Sequence, residues 1–232
     1  MEILHRGGKL RLYSALYDEF YPFDQFLPEW KREVVTPDDE LIGPGALIIW
    51  GGSDIHPNLY LRDNVASHVG RTLSQRDQAE AKLFAKAVDA GLVILGVCRG
   101  AQLGCALTGG ILIQDVRGHN YDHLISTSDD RNFAASSIHH QMMFPWAVEH
   151  ELLAWTQYSK SDRYVGLTDA EFERIPRKKF GDDEELPIEP EVVWFPTTKC
   201  LAIQGHPEMM QIDCKFNEYI RELTLEKCAH VR

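Results

Sequence analysis

The stretch from residue 92 to 110, "LVILGVCRGAQLGCALTGG", decides how the chain folds. Its first six residues form a continuous apolar run, the pattern of a short strand buried on both faces. From Cys98 onward apolar and small residues read as a helix, closed by the pair Gly109 and Gly110. The join, Gly96-Val97-Cys98-Arg99-Gly100, has the G-x-nucleophile-x-G form of a sharp strand-to-helix turn that holds a reactive side chain at the top of a sheet. A side chain at either flanking glycine would clash in such a turn. A cysteine there sits at a helix N-terminus, where the dipole favours thiolate and backbone N–H groups can hold an oxyanion. The turn alone leaves two readings open. Cys98 is a nucleophile, or it is a small core residue, a place that free cysteine often takes.

Working outward, "ALIIW" (46–50) is a second buried strand stopped at "GGSD", and "SQRDQAEAKLFAKAVDAG" (74–91) is a helix ended by Gly91. Strand, helix, strand, helix in this order predicts an α/β fold of three layers, a mostly parallel central sheet with helices on both faces. Further on, 118–147 mixes turn residues with short β-like runs. "EVVWFPTTKCLAIQGHPEMM" (191–210) reads as two strands around a "PTTK" turn, and "QIDCKFNEYIRELTLEKCAH" (211–230) as a closing helix. Residues 157–190 are polar and charged, with "RKK" and then "DDEE", and read as a surface excursion. "LRLYSALYD" (10–18) is a candidate first strand, blurred by the aromatic residues and prolines that follow it.

Length and composition set the bounds. With 232 residues, 44% of them hydrophobic, the chain makes one sizeable core, so residues 1–232 are read as a single domain. A net charge of −11, spread along the chain, argues against binding a phosphate backbone, so no nucleic-acid partner is expected. No run approaches the roughly 18 unbroken apolar residues of a membrane helix, and the first residues lack a signal-peptide core. No membrane partner and a cytoplasmic location are expected. Five cysteines without a CxxC pair read as reduced thiols, which keeps a thiolate role open.

A nucleophilic cysteine needs a base. Among ten histidines, His206 follows an apolar strand in "LAIQGHPE", where a loop lies at the carboxyl edge of the sheet. Glu208 stands two residues on, past the stiffening Pro207, and can orient the imidazole. Cys98, His206 and Glu208 would then form a triad for acyl transfer.

Together "GVCRGAQ" and "GHPE" resemble the class I glutamine amidotransferase-like superfamily, whose fold is flavodoxin-like. Three more segments, "WGGSDIHPNLY" (50–60), "LTGGILIQDV" (107–116) and "SSIHHQM" (136–142), are similar to its γ-glutamyl hydrolase branch, the group of γ-glutamyl-γ-aminobutyrate hydrolases. The resemblance implies Cys98 as nucleophile, His206 as general base and acid, and Glu208 as its orienter. It further implies an oxyanion hole from the backbone N–H groups of Gly52 and Arg99, and substrate contacts from Gln102, Ser137, Ile138 and His139. It calls for no cofactor and no metal. Gly205, where an aromatic residue commonly stands in this family, is expected to enlarge the pocket near His206.

The remaining polar features have plainer readings. His119 and His123, four apart with Asp122 beside the second, and the pair His139–His140 suggest a metal site, but the turn residues around them disfavour one helical face, so surface or pocket histidines are expected. Cys105 reads as core. Asp54, His56 and Tyr60 are candidates for the pocket mouth or for a structural turn.

Three functions follow. The first is hydrolysis of a small-molecule γ-glutamyl amide through a thioester, releasing glutamate and an amine. The second is a glutaminase that delivers ammonia to a separate synthetase, and the third a catalytically silent binding module. A homodimer is compatible with each.

Overall fold

The computed structural model of the protein describes residues 10–18, 25, 27–28, 30–158, 161–179 and 185–229. In chain order the elements are β1 (Arg11–Ala15), β2 (Lys31–Val35), β3 (Gly45–Ile49), α1 (Gln75–Asp89), β4 (Val93–Val97), α2 (Arg99–Leu107), β5 (Ile111–Ile113), β6 (Asp115–Val116), β7 (His123–Thr127) and β8 (Asn132–Ala135). They continue with β9 (Met142–Phe144), β10 (Glu151–Thr156), β11 (Tyr164–Val165), α3 (Asp169–Phe172), β12 (Arg177–Lys179), β13 (Glu185–Pro187), β14 (Pro190–Phe195), β15 (Cys200–Ile203) and α4 (Lys215–Ala229).

Nine strands form the main sheet in the order β2-β1-β3-β4-β15-β14-β10-β7-β8. The half from β2 to β15 is parallel, as the alternation of strands and helices predicts. The other half, from β15 to β8, is antiparallel, which makes the sheet mixed. Its antiparallel turn begins with the hairpin of β14 and β15, the two strands read around "PTTK".

The apolar runs of the central strands are continuous because both faces are covered. Successive side chains point to opposite faces. Thus Leu12, Ile48, Leu95 and Leu201 pack in one cluster with Phe216, Tyr219, Ile220 and Leu223 of α4. Their neighbours Tyr13, Leu47, Ile94 and Ala202 pack in a second cluster with Leu83 and Phe84 of α1 and Leu103 of α2. The result is three layers, with α1 and α2 on one face and α4 on the other. Helix α1 starts at a capping box, Ser74 with Asp77, which satisfies two otherwise unpaired N–H groups.

Register places the chemistry. In the parallel half Ile49 of β3 lies beside Gly96, and Ile203 of β15 beside Val97. The loops that leave these three strands therefore emerge together at the carboxyl edge of the sheet, carrying Gly51–Gly52, Cys98 and His206.

The excursion after β10 carries short elements of its own: β11 pairs with β6, and β12 with β13. Most of the "DDEE" run lies outside the described residues. All five cysteines are free. Among the described residues no helix is long and apolar enough to cross a membrane.

Candidate active site

Cys98 occupies the turn between β4 and α2 with φ 49° and ψ −104°, a left-handed conformation that a non-glycine residue adopts only at a local cost in energy. The surroundings enforce it. A Cβ on Gly96 would come 2.5 Å from the Gly100 carbonyl oxygen, and one on Gly100 would land on the carbonyl of Ile49 in β3. The two glycines let helix and strand cross closely enough to lift Cys98 to the edge. Cys98 N donates to Ile203 O at 2.7 Å, which ties the turn to β15.

His206 follows β15, and its Nδ1 lies 2.7 Å from Glu208 Oε1. Pro207 begins a short 3₁₀ turn, Pro207–Met209, that swings the carboxylate back toward the ring. Ser136 holds the His206 backbone from both sides: its Oγ donates to His206 O at 2.8 Å and accepts from His206 N at 2.9 Å. Gly51 stands between the reactive groups. A Cβ there would come 2.8 Å from His206 Cε1 and 3.5 Å from Cys98 Cβ. Burial works against a charged imidazole, but the hydrogen bonds and charges of Cys98 and Glu208 outweigh it and raise the His206 pKa to about 10. The ring is thus kept as imidazolium between a sulfur and a carboxylate.

A cavity of about 440 Å³ opens over this group, lined by Trp50, Gly51, Gly52, Cys98, Ile138, His206, Glu208 and Met209. Of the residues expected from sequence, Cys98, His206, Glu208, Gly52 and Ile138 meet here. The Ile138 carbonyl oxygen lies 4.0 Å from Cys98 Sγ. The side chains of Gln102, Ser137 and His139 lie behind this wall: Gln102 Nε2 donates to Gln141 O at 2.9 Å, Ser137 Oγ donates to His119 O at 2.8 Å, and His139 Nδ1 is 2.8 Å from Gln141 O.

Arg99 follows the nucleophile but turns its guanidinium inward. It is fully buried and pairs with Asp77 and Glu80 of α1, which are buried as well. Glu80 also holds Arg76 Nε at 2.8 Å, and Arg76 Nη2 donates to Trp50 O at 3.0 Å and Gly51 O at 2.8 Å. Two cations and two carboxylates thus lock α1, the first residue of α2 and the Trp50–Gly52 loop together. Sequence reasoning missed Arg76, Asp77 and Glu80. The available signal was the buried stripe of α1, Asp77, Glu80, Leu83, Phe84 and Ala87, where two carboxylates occupy apolar positions.

Several expectations change. Gly205 does not widen the pocket, because a Cβ there would come 2.8 Å from Ser136 O and 3.1 Å from the Phe216 ring. His119 and His123 are buried rather than on the surface, while Asp122 is exposed. Asp54 accepts from His68 N and lies 2.9 Å from His140 Nε2, and His56 Nδ1 accepts from Asn58 N, so both serve local structure. Tyr60 is buried, and with neither Asp54 nor His56 among the lining residues the pocket mouth is built from other side chains. Cys105 is core as read, its thiol pushed up to about 12 by burial.

A model of the Peptidase C26 family matches residues 43–154, which include Cys98 and end before His206. The chain is 40% identical over 70 residues to a putative glutamine amidotransferase-like protein, YvdE, of Lactococcus lactis, covering 30% of this chain and 29% of that protein. It is 41% identical over 70 residues to the protein NtpR of Enterococcus hirae, covering 30% and 29%. The chain thus spans less than a third of the length of these two relatives. Among solved structures, a protein of Thermoplasma acidophilum described as a putative subunit of GMP synthase superposes with a TM-score of 0.59 at 15% identity, covering 97% of this chain and 96% of that one. A glutamine amidotransferase of Thermotoga maritima gives 0.52 at 12% identity, covering 96% and 91%. At such identities the structural likeness is one of fold, the class I glutamine amidotransferase fold. Over parts of its length, then, the chain is similar in sequence to the Peptidase C26 family and to glutamine amidotransferase-like proteins.

Proposed function

We propose that the chain hydrolyses a γ-glutamyl amide through a thioester on Cys98, releasing glutamate and an amine. The observation that carries this reading is the His206–Glu208 pair, 2.7 Å apart, set beside a cysteine held in a strained turn over an open cavity. In the reaction the Cys98 thiolate attacks the γ-carbonyl carbon, and the carbonyl oxygen takes the negative charge. The N–H groups of Gly52 and Arg99 receive that oxyanion. As the tetrahedral adduct collapses, the C–N bond breaks and His206 gives its proton to the leaving amine. Neutral His206 then takes a proton from water, which attacks the thioester, and the cysteine leaves as thiolate. Glu208 keeps the ring oriented and favours its charged form at each stage. Ile138 and Trp50 border the substrate, and the buried Arg76–Glu80–Arg99 network keeps the Gly52 loop in place.

The second reading is a glutaminase that passes ammonia to a separate synthetase. It is favoured by the likeness of fold to the protein described as part of a GMP synthase, which extends over nearly the whole chain. The two readings part in their products. A panel of γ-glutamyl amines, with glutamine among them, incubated with the purified chain alone should yield glutamate and free amine. Turnover confined to glutamine, and only when a partner is added, would overturn the hydrolase reading in favour of the glutaminase.

A further inference from the structure

Behind the wall that carries Ile138 lies a buried cluster that the chemistry of Cys98 does not use. His119 and His123 flank the start of β7, His139 precedes β9, and Glu189 and Glu191 come from the β14 region. All five are buried, His119 and Glu189 completely. His123 Nε2 lies 2.7 Å from Glu191 Oε1, and His119 Nδ1 lies 3.7 Å from the same oxygen. His119 Nε2 is 3.2 Å from Glu189 Oε2, and the His139 ring centroid is 4.6 Å from that of His119.

What sets this cluster apart is how much of it is unsatisfied. Neither ring nitrogen of His119 makes a hydrogen bond, nor does His139 Nε2, nor Glu191 Oε2. A buried polar atom without a partner costs on the order of 1–3 kcal/mol, and more for a charged group. Four such atoms within one cluster of side chains point to an occupant that satisfies several at once.

We propose that His119, His123 and Glu191 bind one divalent transition-metal ion of the zinc type, with His139 or Glu189 next to it as a further ligand or an orienting partner. One ligand atom from each of the three residues already lies within 4.8 Å of the others. Ligands at about 2.0–2.1 Å around a tetrahedral ion stand roughly 3.4 Å apart, so the His123–Glu191 pair, now at 2.7 Å, opens slightly and the wider separations close by at most about 1.4 Å. Imidazole and carboxylate ligands suit zinc and its neighbours. The ion would have a structural role, because the cluster supports the cavity wall: His139 N and Ser137 Oγ both donate to the His119 carbonyl, at 3.0 and 2.8 Å, and Ile138 between them lines the cavity. A second His and Asp group, Asp54, His68 and His140, is partly exposed, and its Asp54 and His140 already pair with each other, so it serves as the control.

The test uses the full chain. Protein purified without chelator is analysed for metal, then stripped with chelator and titrated with Zn²⁺ alone and with Co²⁺ alone. The proposal expects about one equivalent of bound metal per chain, with visible d–d absorption in the Co²⁺ form. The His140→Asn variant keeps that absorption, and His123→Gln loses it. Removing a buried ligand can itself unfold the chain, so the wild-type titration decides the matter. A stripped wild type that keeps its native circular dichroism yet takes up neither ion at micromolar concentrations overturns the proposal, and leaves the His119 cluster without a bound ion. Uptake that vanishes in His140→Asn and persists in His123→Gln overturns it too.

Discussion

Replacing Gly100 with alanine tests whether the Cys98 turn depends on helix α2 crossing β3 at backbone contact. The added Cβ would sit about 1 Å closer to the Ile49 carbonyl oxygen than the 3.0 Å limit of real Cβ contacts. The obstacle is the backbone of a central strand, hydrogen-bonded to its neighbours, so no side chain can turn aside. Overpacking of this kind costs about 1–3 kcal/mol and more where only backbone can yield, and we take about 4. Alanine regains about 1 kcal/mol of helix propensity over glycine. The net expectation is a loss of about 3 kcal/mol, or a fall in Tm of roughly 6–12 °C for a chain of this size. Gly104→Ala, one turn along the same helix, is the internal comparison. There a Cβ would come 2.5 Å from Cys200 Sγ, the end of a side chain that can turn away, so helix propensity and overlap nearly cancel. Urea unfolding of both variants reads the difference. If Gly100→Ala unfolds within about 1 kcal/mol of the native chain, or if the two variants lose equal stability, the reasoning about this turn is wrong.

Three further outcomes are expected. Arg76→Ala removes both bonds to the Trp50 and Gly51 carbonyls, so steady-state kinetics should show kcat down by about 10- to 100-fold with KM little changed, as for a lost transition-state contact. Ser136→Ala leaves the His206 N–H and carbonyl without their buried partner and should cost about 1–3 kcal/mol in denaturant unfolding. The third concerns pH. Because the His206 pKa is raised, from 6.5 to about 10, its contribution to stability is complete below 6.5 and disappears as pH rises through 10. Glu208→Gln should therefore melt well below the native chain at pH 7, with the gap narrowing by pH 10.5. A gap that widens with pH has the wrong sign for this account.

Much of the fold was legible because its central strands are buried on both faces, and "ALIIW" and "LVILGV" announce that as unbroken apolar runs. The antiparallel half was less legible: β7 alternates buried and outward-facing residues, and its short runs are mixed with turn residues. At the site, Cys98, His206 and Glu208 could be read because each belongs to a local turn with its own glycine or proline. The ion pairs of Arg99 with Asp77 and Glu80 span 22 and 19 residues, and no local pattern marks such a pairing. Likewise His123 meets Glu191 across 68 residues, whereas its sequence neighbour Asp122 points to solvent. Gly205 was misread for the same reason, since what fills the space beside it, Ser136 and Phe216, comes from distant parts of the chain.

The central claim is that Cys98 carries the acyl group. Acid-quenched mass spectrometry during turnover of a chromogenic γ-glutamyl anilide tests it most directly. The account predicts a glutamyl adduct on the Cys98 peptide, absent from Cys98→Ala, with product release abolished in that variant. An adduct on another cysteine, or full turnover by Cys98→Ala, would contradict it.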